Sequence, residues 1–337
     1  MHRIFVILAL PLLAILLVSG CTNGTIGAGK GVSVIGFEPD HFEIYSGETI
    51  NFRARMRNDG YVEVRGAHAE LLGLDEDWCG DKATTGCVLS SGKRLEKLPN
   101  EAECQYKGSG FNLVPVDRQA GTTGGEKICT WTYKAPLLSK GFEISYTPII
   151  RVFYPYKSAT TKLITFASSN ELRRIRDSGG SLPAETIGDT EGPIQLRIET
   201  KGPIRFLEDR VVFPLEITIT NLGNGAPCST GESSEDRLKD ACKGTVSGEE
   251  AKNKVTLKIS LDDQTAVLDE ECKALASYGK VLPLLKGQNS FVCDVQVSGL
   301  NPAAPVQKSI LVEAFYEYFF DTSSSIKVIG RRSPEEI

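Results

Sequence analysis

The sequence predicts an all-β protein, two tandem antiparallel β-sandwiches behind an N-terminal export segment. Three observations carry this prediction: short runs of alternating apolar and polar residues bounded by Gly, Pro, Asn and Asp, an even set of cysteines beyond residue 21, and a long apolar run confined to the start of the chain. Helical periods are few, whereas a parallel α/β sheet would need helices between its strands.

Met1-His2-Arg3 form a short basic flank, residues 4–18 are apolar, and Ser19-Gly20-Cys21 follow. That is the layout of a signal peptide, expected over residues 1–20. The run is shorter than the ~20 apolar residues that cross ~30 Å of hydrocarbon and holds Pro11 in its middle, which favours cleavage over spanning. Val18-Ser19-Gly20-Cys21 resembles the lipobox of prokaryotic lipoproteins, in which small residues precede a cysteine that receives lipid and becomes the new N-terminus. The resemblance implies lipidation of Cys21 and anchoring to the outer face of the cell membrane. An uncleaved signal anchor would leave the body on the same side, because the basic flank stays cytoplasmic. Residues 21–32, rich in glycine, read as a flexible tether.

The nine cysteines include Cys21, and the rest divide evenly between the halves: Cys79, Cys87, Cys104 and Cys129, then Cys228, Cys242, Cys272 and Cys293. Even numbers in an exported chain imply disulfides. Short loops cost the least entropy to close, so Cys104 is expected to pair with Cys129, Cys272 with Cys293, Cys79 with Cys87 and Cys228 with Cys242.

The boundary between the halves falls at residues 169–192. Glu171-Leu172-Arg173-Arg174-Ile175-Arg176 reads as a short capped helix, and Ser178-Gly179-Gly180-Ser181 as a linker. One sandwich is expected over 33–168 and the other over 193–330. In the first, Thr49 to Arg57 alternates apolar and polar residues before Asn58-Asp59-Gly60 turns the chain; in the second, Leu215 to Thr220 does so before Asn221-Leu222-Gly223-Asn224-Gly225. The aromatic runs Phe153-Tyr154-Pro155-Tyr156 and Phe315-Tyr316-Glu317-Tyr318 also correspond, each followed by a Thr- or Ser-led strand, so the chain is an internal duplication.

The segment Ile217-Thr218-Ile219-Thr220-Asn221-Leu222-Gly223-Asn224-Gly225 resembles the CARDB type of immunoglobulin-like domain of prokaryotic adhesion and surface proteins. The arrangement as a whole is similar to archaeal surface lipoproteins in which a Tyr-Pro-Tyr strand, a threonine-rich hairpin and a short charged helix end a β-domain. These resemblances imply immunoglobulin-like sandwiches with an adhesive or structural role.

Several chemistries are excluded or left thin. With a net charge of −5 and no cluster of Lys and Arg among aromatics, nucleic acid is not an expected partner. No C-x2-C pair is present, and beyond the leader the histidines are His41 and His68, so neither a metal centre nor a cofactor is expected. The stretch from Gly24 to Gly31 has P-loop spacing but ends in Gly31, where Ser or Thr must hold magnesium. No Gly-x-Ser-x-Gly elbow appears, and His68 reads as an ordinary sheet histidine. Acidic turns at Asp75-Glu76-Asp77, Asp81 and Asp262-Asp263 carry the oxygen chemistry of calcium sites but read as solvated loops.

Alternate rings of the aromatic runs must face opposite sides of their strands. Half are expected in the core, and the rest fill a junction between domains or form a partner-binding stripe, for which Tyr154, Tyr156, Tyr316 and Tyr318 are the candidates. The sequence thus points to a non-enzymatic surface lipoprotein that binds a protein or glycan. The alternatives are an accessory subunit of a membrane-bound or filament complex, and a hydrolase whose site lies in the cysteine loops.

Overall fold

The computed structural model describes residues 31–74, 78, 104, 110–117, 119–229, 231, 241–242, 250–262, 266–277 and 279–331. The signal peptide, most of the tether, Cys21, Cys79, Cys87 and the acidic residues 75–77, 81 and 263 lie outside them.

The first half supplies β1 (Val32–Pro39), β2 (Glu43–Tyr45), β3 (Thr49–Asn58), β4 (Val64–Leu72), β5 (Phe111–Leu113), β6 (Glu126–Lys134), β7 (Glu143–Tyr146) and β8 (Ile149–Ser168). A helix, α1 (Ser169–Asp177), follows. The second half supplies β9 (Ile187–Asp189), β10 (Ile194–Glu199), β11 (Ile204–Phe206), β12 (Val211–Asn221), β13 (Ala226–Cys228), β14 (Lys254–Leu261) and β15 (Ala266–Leu268). The short α2 (Lys273–Ser277) then precedes β16 (Lys280–Pro283), β17 (Gln288–Val297), β18 (Val306–Ser323) and β19 (Ile326–Ile329). The chain is all-β, as predicted, and its ladders are largely antiparallel.

Alternation in the sequence becomes burial in the fold. On β3, Ile50, Phe52, Ala54 and Met56 point into the core and Arg53 and Arg55 point out; on β12, Phe213, Leu215, Ile217 and Ile219 are buried while Pro214 and Glu216 are exposed. Each large side chain so buried contributes about 1.5–3 kcal/mol. These strands are central in two matching sheets, ordered β1-β3-β6 and β10-β12-β17-β15.

Three disulfides form as expected: Cys104 to Cys129, Cys228 to Cys242 and Cys272 to Cys293, with Cα separations of 5.8, 5.2 and 5.8 Å. Cys129 and Cys293 sit on the equivalent strands β6 and β17, facing Ala54 and Leu215. Relative to the asparagine that ends each central strand, the two cysteines differ by one pleat, which keeps both on the inward face. Helix α1 is capped as its sequence suggests: the Ser168 hydroxyl accepts the Glu171 N–H at 3.1 Å, and the Arg174 guanidinium holds the Glu171 carboxyl below its ordinary range.

The boundary at 169–192 does not divide the hydrogen bonding. β8 and β18 pair antiparallel along the whole of β18, from Val306 opposite Phe166 to Ser323 opposite Ile149. A nine-stranded sheet therefore runs through both halves along β16-β14-β18-β8-β4-β5. The segments Ile150 to Tyr156 and Thr160 to Phe166, expected as successive strands, are one unbroken strand of 20 residues. Its last residues leave the region of β4 and reach β9 and β11 of the second half. In return, β19 lies between β2 and β7, where Ile326 and Val328 are buried in the first half. The two halves are thus joined along their longest strands, β8 and β18. A strand of typical length, about 5–6 residues, reaches few neighbours; β8, of 20 residues, pairs with β4 of the first half and with β9, β11 and β18 of the second.

Candidate functional site

The densest group of polar atoms in the core lies at the centre of the β8·β18 ladder. Tyr154 faces Tyr318 and Tyr156 faces Tyr316 across the strands, with Pro155 opposite Glu317 between them. Strand periodicity puts the four tyrosines on one face. Their rings contact in a closed set: 5.7 Å between the centroids of Tyr154 and Tyr318, 6.2 Å for Tyr156 and Tyr316, 5.9 Å for Tyr154 and Tyr156, and 6.2 Å for Tyr316 and Tyr318. None exposes more than 1% of its surface. The stripe is therefore not available to a partner. Segments from both halves cover it, leaving the junction as the sequence-level alternative that describes its place.

Each hydroxyl is used by a turn or strand start. The Val32 N–H at the head of β1 bonds the Tyr154 hydroxyl, and the Ile194 N–H at the head of β10 donates to Tyr316 at 3.4 Å. The Val62 N–H bonds Tyr156, and the Gly225 N–H donates to Tyr318 at 2.9 Å. Tyr156 donates to the Glu191 carbonyl, Tyr318 donates to Asn221 Oδ1, and Tyr316 shares a hydrogen bond of 2.7 Å with Ser158. Burial pushes all four phenols up, Tyr318 to about 12.

The turns that meet these hydroxyls are built alike. Asn58 Oδ1 accepts the Gly60 N–H and its amide donates to the Val62 carbonyl; Asn221 Oδ1 accepts the Gly223 N–H and its amide donates to the Gly225 carbonyl. Sequence reading found both Asn-x-Gly turns but not their tyrosine partners, which are remote in the chain. Gly223 is required by close approach: a Cβ there would collide with the Tyr318 hydroxyl. Replacing Asn221 by alanine leaves the turn N–H and carbonyl unpaired and removes the acceptor for Tyr318. The expected loss is about 1–3 kcal/mol in urea unfolding, with a similar loss for Asn58→Ala.

Among the described residues, the other chemistry-bearing side chains do not converge. His68 is buried and stacks on Phe153, centroids 4.7 Å apart and planes within 10°, in the setting of a sheet histidine. His41 is exposed between β1 and β2. Asp269, Cys272 and Cys293 approach one another as metal ligands do, but both sulfurs are joined in a disulfide. Asp269 instead accepts the N–H groups of Cys272 and Asp294, fastening the turn to β17. Asp262, exposed at the end of β14, donates its N–H to the Ser309 carbonyl.

The surface aromatics gather elsewhere, around β19. Phe42, Tyr45 and Phe142 are 59%, 46% and 64% exposed. Main-chain bonds from Lys327 to Phe42 and from Gly330 to Phe142 hold the two phenylalanines at the ends of β19. Lys327 bridges Glu43 and Glu143, and Arg331 lies over the Tyr45 ring while pairing with Glu48. Both carboxylates push the Lys327 ammonium up from its ordinary value. The result is an aromatic and ionic surface that the sequence runs did not single out, because its members come from three separate segments.

No protein-family model and no curated protein matches the chain. Among solved structures, similarity extends to the secreted serine protease VesC from Vibrio cholerae (4% identity, TM-score 0.20, covering 87% of this chain and 51% of the protease). The chain thus spans about half the length of that protein. Similarity also extends to the Enterococcus faecalis MSCRAMM ACE (8% identity, TM-score 0.16, 90% and 98% covered) and to a Salmonella alpha-2-macroglobulin (12% identity, TM-score 0.16, 90% and 23% covered). Scores this low carry no argument about function.

Proposed function

We propose that the chain is a non-enzymatic surface lipoprotein, anchored through Cys21 to the outer face of the cell membrane, with an adhesive or structural role toward a surface protein or glycan. The observation that carries the reading is the pairing of a disulfide-stapled all-β body with an apolar leader that ends at a cysteine after small residues. Disulfides persist in oxidising, extracytoplasmic compartments. The described residues include no helix long and apolar enough to cross a membrane, so the reading assigns attachment to the N-terminus. It assigns partner contact to the exposed aromatics around β19, since exposed rings with a polar rim suit protein and sugar surfaces.

The test is the mass of the intact protein isolated from membranes, before and after reduction. The expected result is a chain beginning at a lipid-modified Cys21 that gains about two mass units per bridge on reduction. Cys21→Ala is expected to move the protein out of the lipid-modified fraction with its bridges intact. A chain that retains Met1 and carries free thiols would overturn the proposal.

A further inference from the structure

The N–H groups that meet the tyrosine hydroxyls, and the asparagine turns beside them, occur in matched pairs: Val32 with Ile194, Val62 with Gly225 and Asn58 with Asn221, serving Tyr154 with Tyr316 and Tyr156 with Tyr318; the bonds that the hydroxyls donate differ between the halves. The ladder exchanges the members of each tyrosine pair, placing Tyr154 opposite Tyr318 and Tyr316 opposite Tyr156. A two-fold axis through the Pro155–Glu317 position, normal to the sheet, produces that pattern. It is the pattern of an isologous interface, in which the same surface meets itself. The interface is also reciprocal: β19 and the end of β18 complete the core around Ile44 and Tyr154, while the end of β8 receives β9 and β11.

From this geometry we infer that the β8·β18 seam is a self-sufficient protein interface whose partner is a half-molecule of the same architecture, so that the chain is a dimer fused head to tail. Each half is the other's binding partner, and the peptide connection through α1 is not what holds them together. The three disulfides of the described residues each lie within one half, so none of them links the halves covalently.

The test uses the full chain with a site-specific protease sequence inserted after Gly180, where Gly179, Gly180 and Ser181 are exposed. The folded protein is cut to completion. The two pieces are expected to elute together at the volume of the uncut chain, yet to separate on a denaturing gel without reductant. A tenfold dilution is expected to lower the thermal midpoint of the cut form and leave that of the uncut form unchanged, because only the former must associate. Two folded pieces eluting separately, or one precipitating while the other stays in solution, would overturn the inference.

Discussion

Replacing Tyr316 by alanine is expected to lower the unfolding free energy by about 3–5 kcal/mol, the range for truncating a large aromatic in a packed core. Tyr316 is completely buried at the crossing of both halves. Its ring contacts Tyr156 and Tyr318, and its hydroxyl meets Ser158 and the Ile194 N–H. Tyr316→Phe keeps the ring contacts and strands the two polar groups, for an expected cost of about 1–3 kcal/mol. Urea unfolding of the two variants separates the packing contribution from the hydroxyl's. Equal losses would mean that the ring contributes nothing beyond the hydroxyl, contrary to the geometry. The same pair of substitutions at Tyr154, the symmetry mate, is expected to give the same ordering.

The cluster also makes the protein sensitive to alkali. An unfolded tyrosine titrates near 10, whereas burial in the folded chain holds Tyr318 at about 12 and raises Tyr154, Tyr156 and Tyr316 above the ordinary value as well. The folded state therefore binds these protons more tightly. Stability is fully present below about pH 10 and falls as pH rises through 10 toward the folded values. Each unit of offset is worth about 1.4 kcal/mol, so Tyr318 alone carries about 3 kcal/mol, and four such groups drive a cooperative alkaline transition. Phenolate absorbance followed beside circular dichroism checks this. Of the ten tyrosines, four are expected to ionise only as the fold is lost. Ionisation of all ten near pH 10 with the sheets intact would contradict the burial of the cluster.

What the sequence revealed follows from which faces are wet. β3 and β12 each have one face toward solvent, so Arg53 and Arg55 or Glu216 alternate with buried neighbours and the strands were legible. The disulfides were legible because each closes a short loop, from 14 to 25 residues. The middle of β8 is buried on both faces from Phe153 to Tyr156, which erases alternation and with it any sign of a partner strand. β18 lies far away in the chain, and nothing local to either strand encodes their pairing. The aromatic candidates show the same limit. Period-two spacing told that the four tyrosines share a face, but their cover comes from Gly31, Gly192 and Gly223, whose missing side chains admit the rings. A glycine in a turn reads as flexibility when it is in fact space for a distant residue.

The chain enters the fold beside the two-fold axis: Gly31 lies against Tyr154 and Pro193, and its carbonyl accepts the Asp59 N–H. A pull on the backbone at Gly31 therefore reaches both halves at once, through Tyr154 and Asp59 of the first and Pro193 of the second.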